Sequence, residues 1–273
     1  MKIEVLDLKV DLITKTEVVN LIKEKIKTGK FFHVVTAYSE FFVAALRDQE
    51  FKKIVSEANL VVPDGVGPLA AINFKASLKQ KDSIFIKFLK GLKTGWHVFS
   101  GQVGEPVSGV WLFTQLLINA AENGWRVFLL GGFGDVSMEL KNKLKIVYPH
   151  LLVDSDPGEQ KLRDYKSSES LERINKFQPD ILFVAYGQIK QEKWIYAHKK
   201  DLRAKVVVGV GSTFDEMTGK IAAAPKFMED VGLKWLWRLY REPKRWRRII
   251  NAVIVFPWLV FNRAVFQRHF HCH

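Results

Sequence analysis

Five short apolar runs, each ended by a small or turn-forming residue, dictate most of what this chain can become. They are FFHVVTAY (31–38), ANLVVPDG (58–65), WRVFLLGG (125–132), PDILFVAYG (179–187) and AKVVVGVG (204–211). Continuous apolar runs of this length suit strands buried on both faces of a sheet. Between them lie segments with apolar residues at helical spacing, such as SEFFVAALRDQEFKKIVSEA (39–58) and DVSMELKNKLKIVY (135–148). Strand and helix in alternation predict an α/β fold with a mostly parallel sheet flanked by helices. The rhythm stops near GKIAAAPKF (219–227), where aromatic and basic residues begin to crowd together. A boundary is expected there, between a catalytic core of residues 1–222 and a basic, amphipathic helical appendage of residues 223–273.

With 273 residues the chain can bury one large core and carry such an appendage. Its 42 Lys and Arg residues against 29 Asp and Glu leave a net charge of +13. The partners expected are therefore anionic: nucleic acid, phosphorylated small molecules, or an anionic membrane surface. The single cysteine, Cys272, excludes an intramolecular disulfide framework and a multi-cysteine zinc site, which fits a reducing cytosol. The opening MKIEVLDLKVDLITKTE has charges throughout and lacks the apolar core of a secretory signal, so a cytoplasmic location is expected.

In open α/β sheets, ligands bind beyond the carboxyl ends of the strands, which directs attention to the residue after each run. Those residues are Thr36, Asp64, the glycines of LLGGFGD (129–135), Gly187 with QIKQE after it, and the glycines of GVGSTFD (209–215). Asp64 stands between Pro63 and Gly65, a turn that projects its side chain past the strand. Gly131, Gly132 and Gly134 lead into a helix whose N-terminal amides suit a phosphate. On a Rossmann-like sheet the expected nucleotide-binding positions are Gly131, Gly132, Gly187, Glu192, Gly209, Gly211 and Asp215. A second reading stays open, in which the glycines only make tight turns. The dinucleotide fingerprint is not met, because Phe214 stands where a third glycine belongs, and no P-loop Gly-Lys-Ser/Thr occurs. A nucleotide-sugar oxidoreductase with a nicotinamide cofactor is thus a rival reading with little support.

The motifs TAYSEFF, VVPDGVG, VFLLGG, YPHL, PDILFVAYGQIKQEKWI and GVGSTFDEMTGKIAAAPKFMEDVGLKWLWRLYREPKRWRR together resemble the WecG/TagA/CpsF bacterial glycosyltransferases, glycosyltransferase family 26. The likeness runs over about residues 5–250. It implies an inverting hexosyltransferase that moves N-acetylmannosamine, its uronic acid or glucose from a UDP donor. The implied acceptor is a sugar on undecaprenyl diphosphate, and the implied setting is the cytoplasmic face of the membrane, in cell-surface polysaccharide assembly. No metal or other cofactor is implied, and homo-oligomers occur in the family. By the same resemblance Asp64 is the base that takes the acceptor hydroxyl's proton, with Thr36 and Gln191 near it. Capping of the following helix remains the alternative role for Asp64. Arg238, Arg245 and Arg248 match basic positions that reach the diphosphate, where leaving-group charge must be balanced.

On an ideal helix Lys234, Arg238, Arg241, Arg245 and Arg248 share one face, with Trp235, Leu236, Leu239, Trp246, Ile250 and Val253 adjoining; Pro243 must kink that helix or start a second. Such a segment suits an anionic membrane surface. Nucleic acid, the rival partner, would leave the apolar face unsatisfied and is not expected. Three places depart from the family pattern. Pro106 in EPVSG (105–109) replaces an arginine. The stretch KQKDSIFIKFLKGLKTGWHVFSG (79–101) is extra, either a membrane-facing amphipathic element or a surface insertion. In the tail the apolar run from Ala252 to Phe261 is far short of the roughly 18–20 residues of a spanning helix and Pro257 interrupts it, which predicts an interfacial rather than a spanning segment. The pair Asp154 and Asp156 has the spacing of a metal-binding Asp-x-Asp but lies where the family has no metal site, and the closing HFHCH is read as a flexible tail.

Overall fold

The computed structural model describes residues 1–159, 169–222, 224–225, 228 and 233–266. An antiparallel hairpin, β1 (Lys2–Val5) and β2 (Leu8–Asp11), opens the chain. Behind it a six-stranded sheet is built from β3 (Phe32–Ala37), β4 (Leu60–Pro63), β5 (Arg126–Gly131), β6 (Leu152–Asp156), β7 (Ile181–Ala185) and β8 (Val206–Gly209). Its order is β4-β3-β8-β7-β5-β6 and every neighbouring pair is parallel. Five of these strands are the five apolar runs. The hairpin and β6, which is partly exposed at the sheet edge, carry no such run.

Among the described residues, ten helices belong to this part of the chain: α1 (Lys15–Thr28), α2 (Ser39–Arg47), α3 (Gln49–Ser56), α4 (Val66–Ser77), α5 (Ile84–Phe99), α6 (Gly109–Asn123), α7 (Val136–Val147), α8 (Ser170–Phe177), α9 (Gln188–His198) and α10 (Thr213–Thr218). They cover both faces, which is why the strands read as unbroken apolar runs. Val127 and Leu129 pack with α1, α6 and α7, whereas Phe128 and Leu130 pack with Ile174 of α8 and Trp194 and Ile195 of α9. The segment 39–58 forms two helices because Asp48 accepts the Phe51 amide and so caps a new start.

Helix α5 is an amphipathic helix turned outward. It starts at Ser83, whose hydroxyl accepts the Ile86 amide. Phe85, Leu89, Leu92 and Trp96, at helical spacing, are between 47% and 71% exposed. Lys87 and Lys90 turn the other way, donating to the carbonyls of Ala264 (2.7 Å) and Ser77 (2.6 Å), with Lys90 also paired to Asp82.

The C-terminal segment comprises α11 (Lys234–Arg241), a 3-10 turn (Pro243–Arg245), α12 (Trp246–Ile250), a π-helical turn (Asn251–Val255) and α13 (Phe256–Phe266). The chain breaks at Glu242 (φ −133°, ψ 67°), ahead of Pro243. Arg238 and Arg241 therefore lie on a different helix from Arg245 and Arg248, and the single basic face of an unbroken helix does not form; the Lys234 side chain is outside the described residues. From Pro243 to Phe266 the chain is continuously helical for 24 residues. This corrects the expectation that Pro257 interrupts it. A proline cannot donate to the carbonyl four residues back and crowds it; the widened π turn just before absorbs that mismatch. With a mean hydropathy of 1.8 in its best window, the helix is long and apolar enough to cross a membrane by length and composition. It nonetheless joins the protein's core. Phe256 is 1% exposed with its ring 5.3 Å from that of Phe42, Val260 is also buried, and Arg263 grips Asp7 through both guanidinium nitrogens. The HFHCH tail lies outside the described residues.

Candidate functional site

The carboxyl ends of β3, β4, β7 and β8 open into one cavity. Asp64 follows the last residue of β4, its amide bonded to the Ala37 carbonyl at 3.0 Å. Its carboxylate Oδ2 accepts the Gly109 amide at 3.1 Å, at the first turn of α6. Helix α4, which follows Asp64 in sequence, starts at Gly65 with no side-chain cap. The carboxylate thus reaches across to a helix 45 residues away in sequence. A carbon added to Gly109 would lie 3.5 Å from Thr36 Oγ1, 3.6 Å from Asp64 Oδ2 and 3.7 Å from Thr213 Oγ1, so three polar side chains converge on that point. Thr36 itself donates to the Gly209 carbonyl at 3.4 Å.

Gln191, one turn into α9, forms the next wall. Its Oε1 accepts the Gly211 amide at 2.9 Å, and its Nε2 donates to Glu192 Oε1 at 3.0 Å. Glu192 is fully buried, its other oxygen 2.7 Å from His33 Nε2. Gly209 leaves no room for a side chain, since a Cβ there would overlap the Gln191 amide and the Glu192 carboxylate. Glu192 and Gly209 do not line the cavity; they hold Gln191 in place behind it. Gly131 also stands back, packed against Ala185 and Tyr186. Gly132, Gly187, Gly211 and Asp215 do line the cavity. Burial pushes the Asp215 carboxyl up, against the pull of Arg245 and Lys220.

All three candidate arginines line the same space. Arg248 donates from Nε to Glu40 at 3.0 Å and from Nη2 to the Tyr38 hydroxyl (2.9 Å) and Gln188 Oε1 (3.0 Å). Burial works against the Arg248 charge, but Tyr38 and Glu40 beside it hold it protonated. Burial raises the Glu40 carboxyl and the Tyr38 phenol above their ordinary values. Arg238 pairs with Glu216, and Arg245 with Glu242 at 3.1 Å. Sequence reasoning missed Glu40, Tyr38, Gln188 and Glu216. The available signal was an acid in the first turn of a helix directly after a strand, in TAYSEFF, on a side that proves to be buried. Tyr186, which donates to Glu159 at 2.6 Å, was missed too, and both line the cavity. Pro106 lines it as well.

Asp154 and Asp156 are engaged elsewhere, with Lys141 and Arg173 at 3.1 Å each. Among the described residues no three His, Cys, Asp or Glu side chains cluster so as to hold a metal ion. The cavity measures about 1340 Å³ and is polar at the strand ends and apolar where α4, α5 and the C-terminal helix wall it. With both lining one cavity, a carboxylate can take a proton and a group of arginines can balance anionic charge.

Comparison with known proteins finds a family match over nearly the whole chain. The glycosyl transferase WecG/TagA/CpsF family matches residues 3–270. An N-acetylglucosaminyldiphosphoundecaprenol N-acetyl-beta-D-mannosaminyltransferase of Bacillus spizizenii is 27% identical over 242 residues, covering 87% of this chain and 82% of its own length. The enzyme of the same name from Staphylococcus aureus strain MRSA252 is 27% identical over 264 residues, covering 95% and 92%. That of Bacillus subtilis strain 168 is 25% identical over 220 residues, covering 80% and 75%.

Proposed function

The chain belongs to the WecG/TagA/CpsF family of glycosyl transferases, and from that premise we propose that it moves a hexose, of the N-acetylmannosamine type, from a UDP-sugar to a sugar carried on undecaprenyl diphosphate. The observation that carries the reading is the Asp64 carboxylate, held by the Gly109 amide at the strand end of the cavity that Arg238, Arg245 and Arg248 also line. Asp64 takes the proton from the acceptor hydroxyl as its oxygen attacks the donor's anomeric carbon. The bond from that carbon to the UDP oxygen breaks on the opposite face, and the configuration inverts. The arginines balance the charge on the departing diphosphate, the role a divalent cation fills in many glycosyltransferases. Relatives named for an N-acetylglucosaminyldiphosphoundecaprenol acceptor support this substrate class.

The protein works lying on the cytoplasmic surface of the membrane. Its C-terminal helix is anchored to the same protein body near both ends, by Arg248 to Glu40 and by Arg263 to Asp7, which favours a helix that rests on the bilayer over one that crosses it. Trp246, Ile250, Ile254 and Trp258 on that helix are exposed, as is the outer side of α5. Residues 1–222 act as the core that binds the donor, and residues 223–273 close the site over the acceptor. Transfer from a panel of UDP-sugars to a lipid diphosphate GlcNAc acceptor, in EDTA, tests the reading with wild type and Asp64→Asn side by side. Transfer by wild type that the variant loses while still binding UDP is expected. Equal transfer by both would remove Asp64 from the mechanism, loss of wild-type transfer in EDTA would restore a metal, and no transfer from any donor would sink the substrate assignment.

A further inference from the structure

The apolar half of the cavity asks for a ligand of its own. The cavity as a whole, at about 1340 Å³, exceeds the roughly 300–1,000 Å³ of an ordinary small-molecule site. The walls there include Phe74 of α4, Phe88, Leu92 and Val98 of α5, and Val260 and Phe261 of α13. Along α5 the residues Gly91, Thr94, Gly95 and Val98 recur at three- and four-residue spacing, so one side of the helix is low and uncharged. Lys87 and Lys90 stay off that wall, engaged with Ala264, Ser77 and Asp82. A carbon added at Gly91 would lie 3.6 Å from the Phe261 ring and 3.8 Å from the Phe74 ring, which is close packing. One turn on, a carbon added at Gly95 would meet nothing within 4 Å. Here the wall stands open.

We propose that this apolar corridor is a prenyl-chain site, in which the first isoprene units of the acceptor lie between α4, α5 and α13. The proposal rests on the lipid-diphosphate acceptor assigned above. Along the C-terminal helix, Arg248 marks the polar end and Phe261 the apolar one, about 20 Å apart at helical rise. That order repeats the order of groups in the acceptor, an anionic diphosphate followed by a hydrocarbon chain. A water-soluble acceptor would leave the rings of Phe88 and Phe261 in contact with water, whereas an isoprenoid chain takes them out of it in proportion to the area covered.

Calorimetric titration of the full chain with inorganic diphosphate and with farnesyl diphosphate tests the corridor without requiring catalysis. Farnesyl diphosphate is expected to bind about tenfold or more tightly than inorganic diphosphate, with the more negative heat-capacity change that apolar burial produces. Gly95→Phe fills the corridor from a helical position with free space around it, and should cut that margin to about threefold or less while inorganic diphosphate binds as before. Leu92→Gln, at an exposed position that the fold does not depend on, should narrow the margin in the same direction. Equal affinity for the two ligands in wild type, or a margin that survives both substitutions, overturns the corridor. If the margin stands but no transfer to an undecaprenyl-linked acceptor occurs, the transferase reading falls and the prenyl site remains; if transfer occurs and the margin is missing, the corridor alone falls.

Discussion

Arg248 reaches back 208 residues to place its Nε 3.0 Å from a carboxylate oxygen of Glu40. The two ends of the chain meet at the cavity wall through this pair, and Glu40 is buried while Arg248 keeps 41% of its side chain exposed. Burial raises the Glu40 carboxyl above its ordinary 4.5, and Arg248 is the largest opposing influence. A carboxyl raised in the folded state contributes stability that is fully present below the unfolded value and is lost as pH rises through the folded one. Removing Arg248 lifts the folded value further and deepens that loss on the alkaline side. The deficit of Arg248→Ala in unfolding free energy should therefore be larger at about pH 8 than at about pH 4, by about 1–2 kcal/mol, beyond any constant loss of its bonds to Tyr38 and Gln188. The figure is smaller than for a fully buried pair because water reaches the arginine's side. A deficit independent of pH would show that packing of the side chain, not its charge, carries the effect.

Gln191 faces the cavity only because Gly209 gives way to it. Gly209→Ala puts a methyl group into the space of the Gln191 amide and the Glu192 carboxylate, both buried and both hydrogen-bonded. The overpacking should cost about 1–3 kcal/mol in unfolding free energy. Displacement of Gln191 also breaks its bond to the Gly211 amide, so a weaker affinity for UDP, measured by titration, is expected alongside. Unchanged stability would mean that the buried Gln191, Glu192 and His33 network repacks freely.

How much of this was legible depends on how local each signal is. The five central strands are visible because both of their faces are buried and the apolar runs are unbroken. The β1–β2 hairpin and β6 mix charged and apolar residues, and their pairing is set by partners elsewhere. Asp64 is legible from its place after a strand between Pro63 and Gly65. Glu40 is not, since its role depends on an arginine more than two hundred residues away. Pro257 misled because a proline usually ends a helix, and only the preceding π turn lets this one pass. The segment 79–101 was ambiguous for a physical reason: composition specifies an amphipathic helix but not which side faces the protein, and here Lys87 and Lys90 turn inward.

That inversion leaves Leu89 and Trp96 exposed beside a protein of net charge +13. Vesicles of anionic lipid should bind the full chain, and added salt should weaken binding as surface charge is screened. Leu89→Gln combined with Trp96→Gln removes two insertable side chains without touching the cavity wall. Flotation with the vesicles should show about a tenfold or greater loss of partitioning, while binding of UDP in solution is unchanged. Equal flotation of variant and wild type would confine membrane contact to the C-terminal helix.

The C-terminal segment fills the core as well as completing the cavity, and this separates two consequences of removing it. Phe256 is 1% exposed, packed on Phe42 in the same apolar cluster as Phe41, Phe74 and the β1–β2 hairpin. Phe256→Ala deletes a buried ring and should lower the unfolding free energy by about 3 kcal/mol. A chain cut after Ala224 loses Phe256, Val260 and the Arg263 contact to Asp7 together, and uncovers the rings of Phe42 and Phe74. Its urea midpoint should lie below that of Phe256→Ala, and it should self-associate through the uncovered surface. Loss of activity in that truncation would then report damage to the core as well as loss of the arginines. Arg245→Ala, partly buried but outside the apolar core clusters, isolates the second effect: it should keep the wild-type midpoint and lose transfer. A truncated chain with the midpoint of the full one would show that residues 1–222 fold independently of the C-terminal helices.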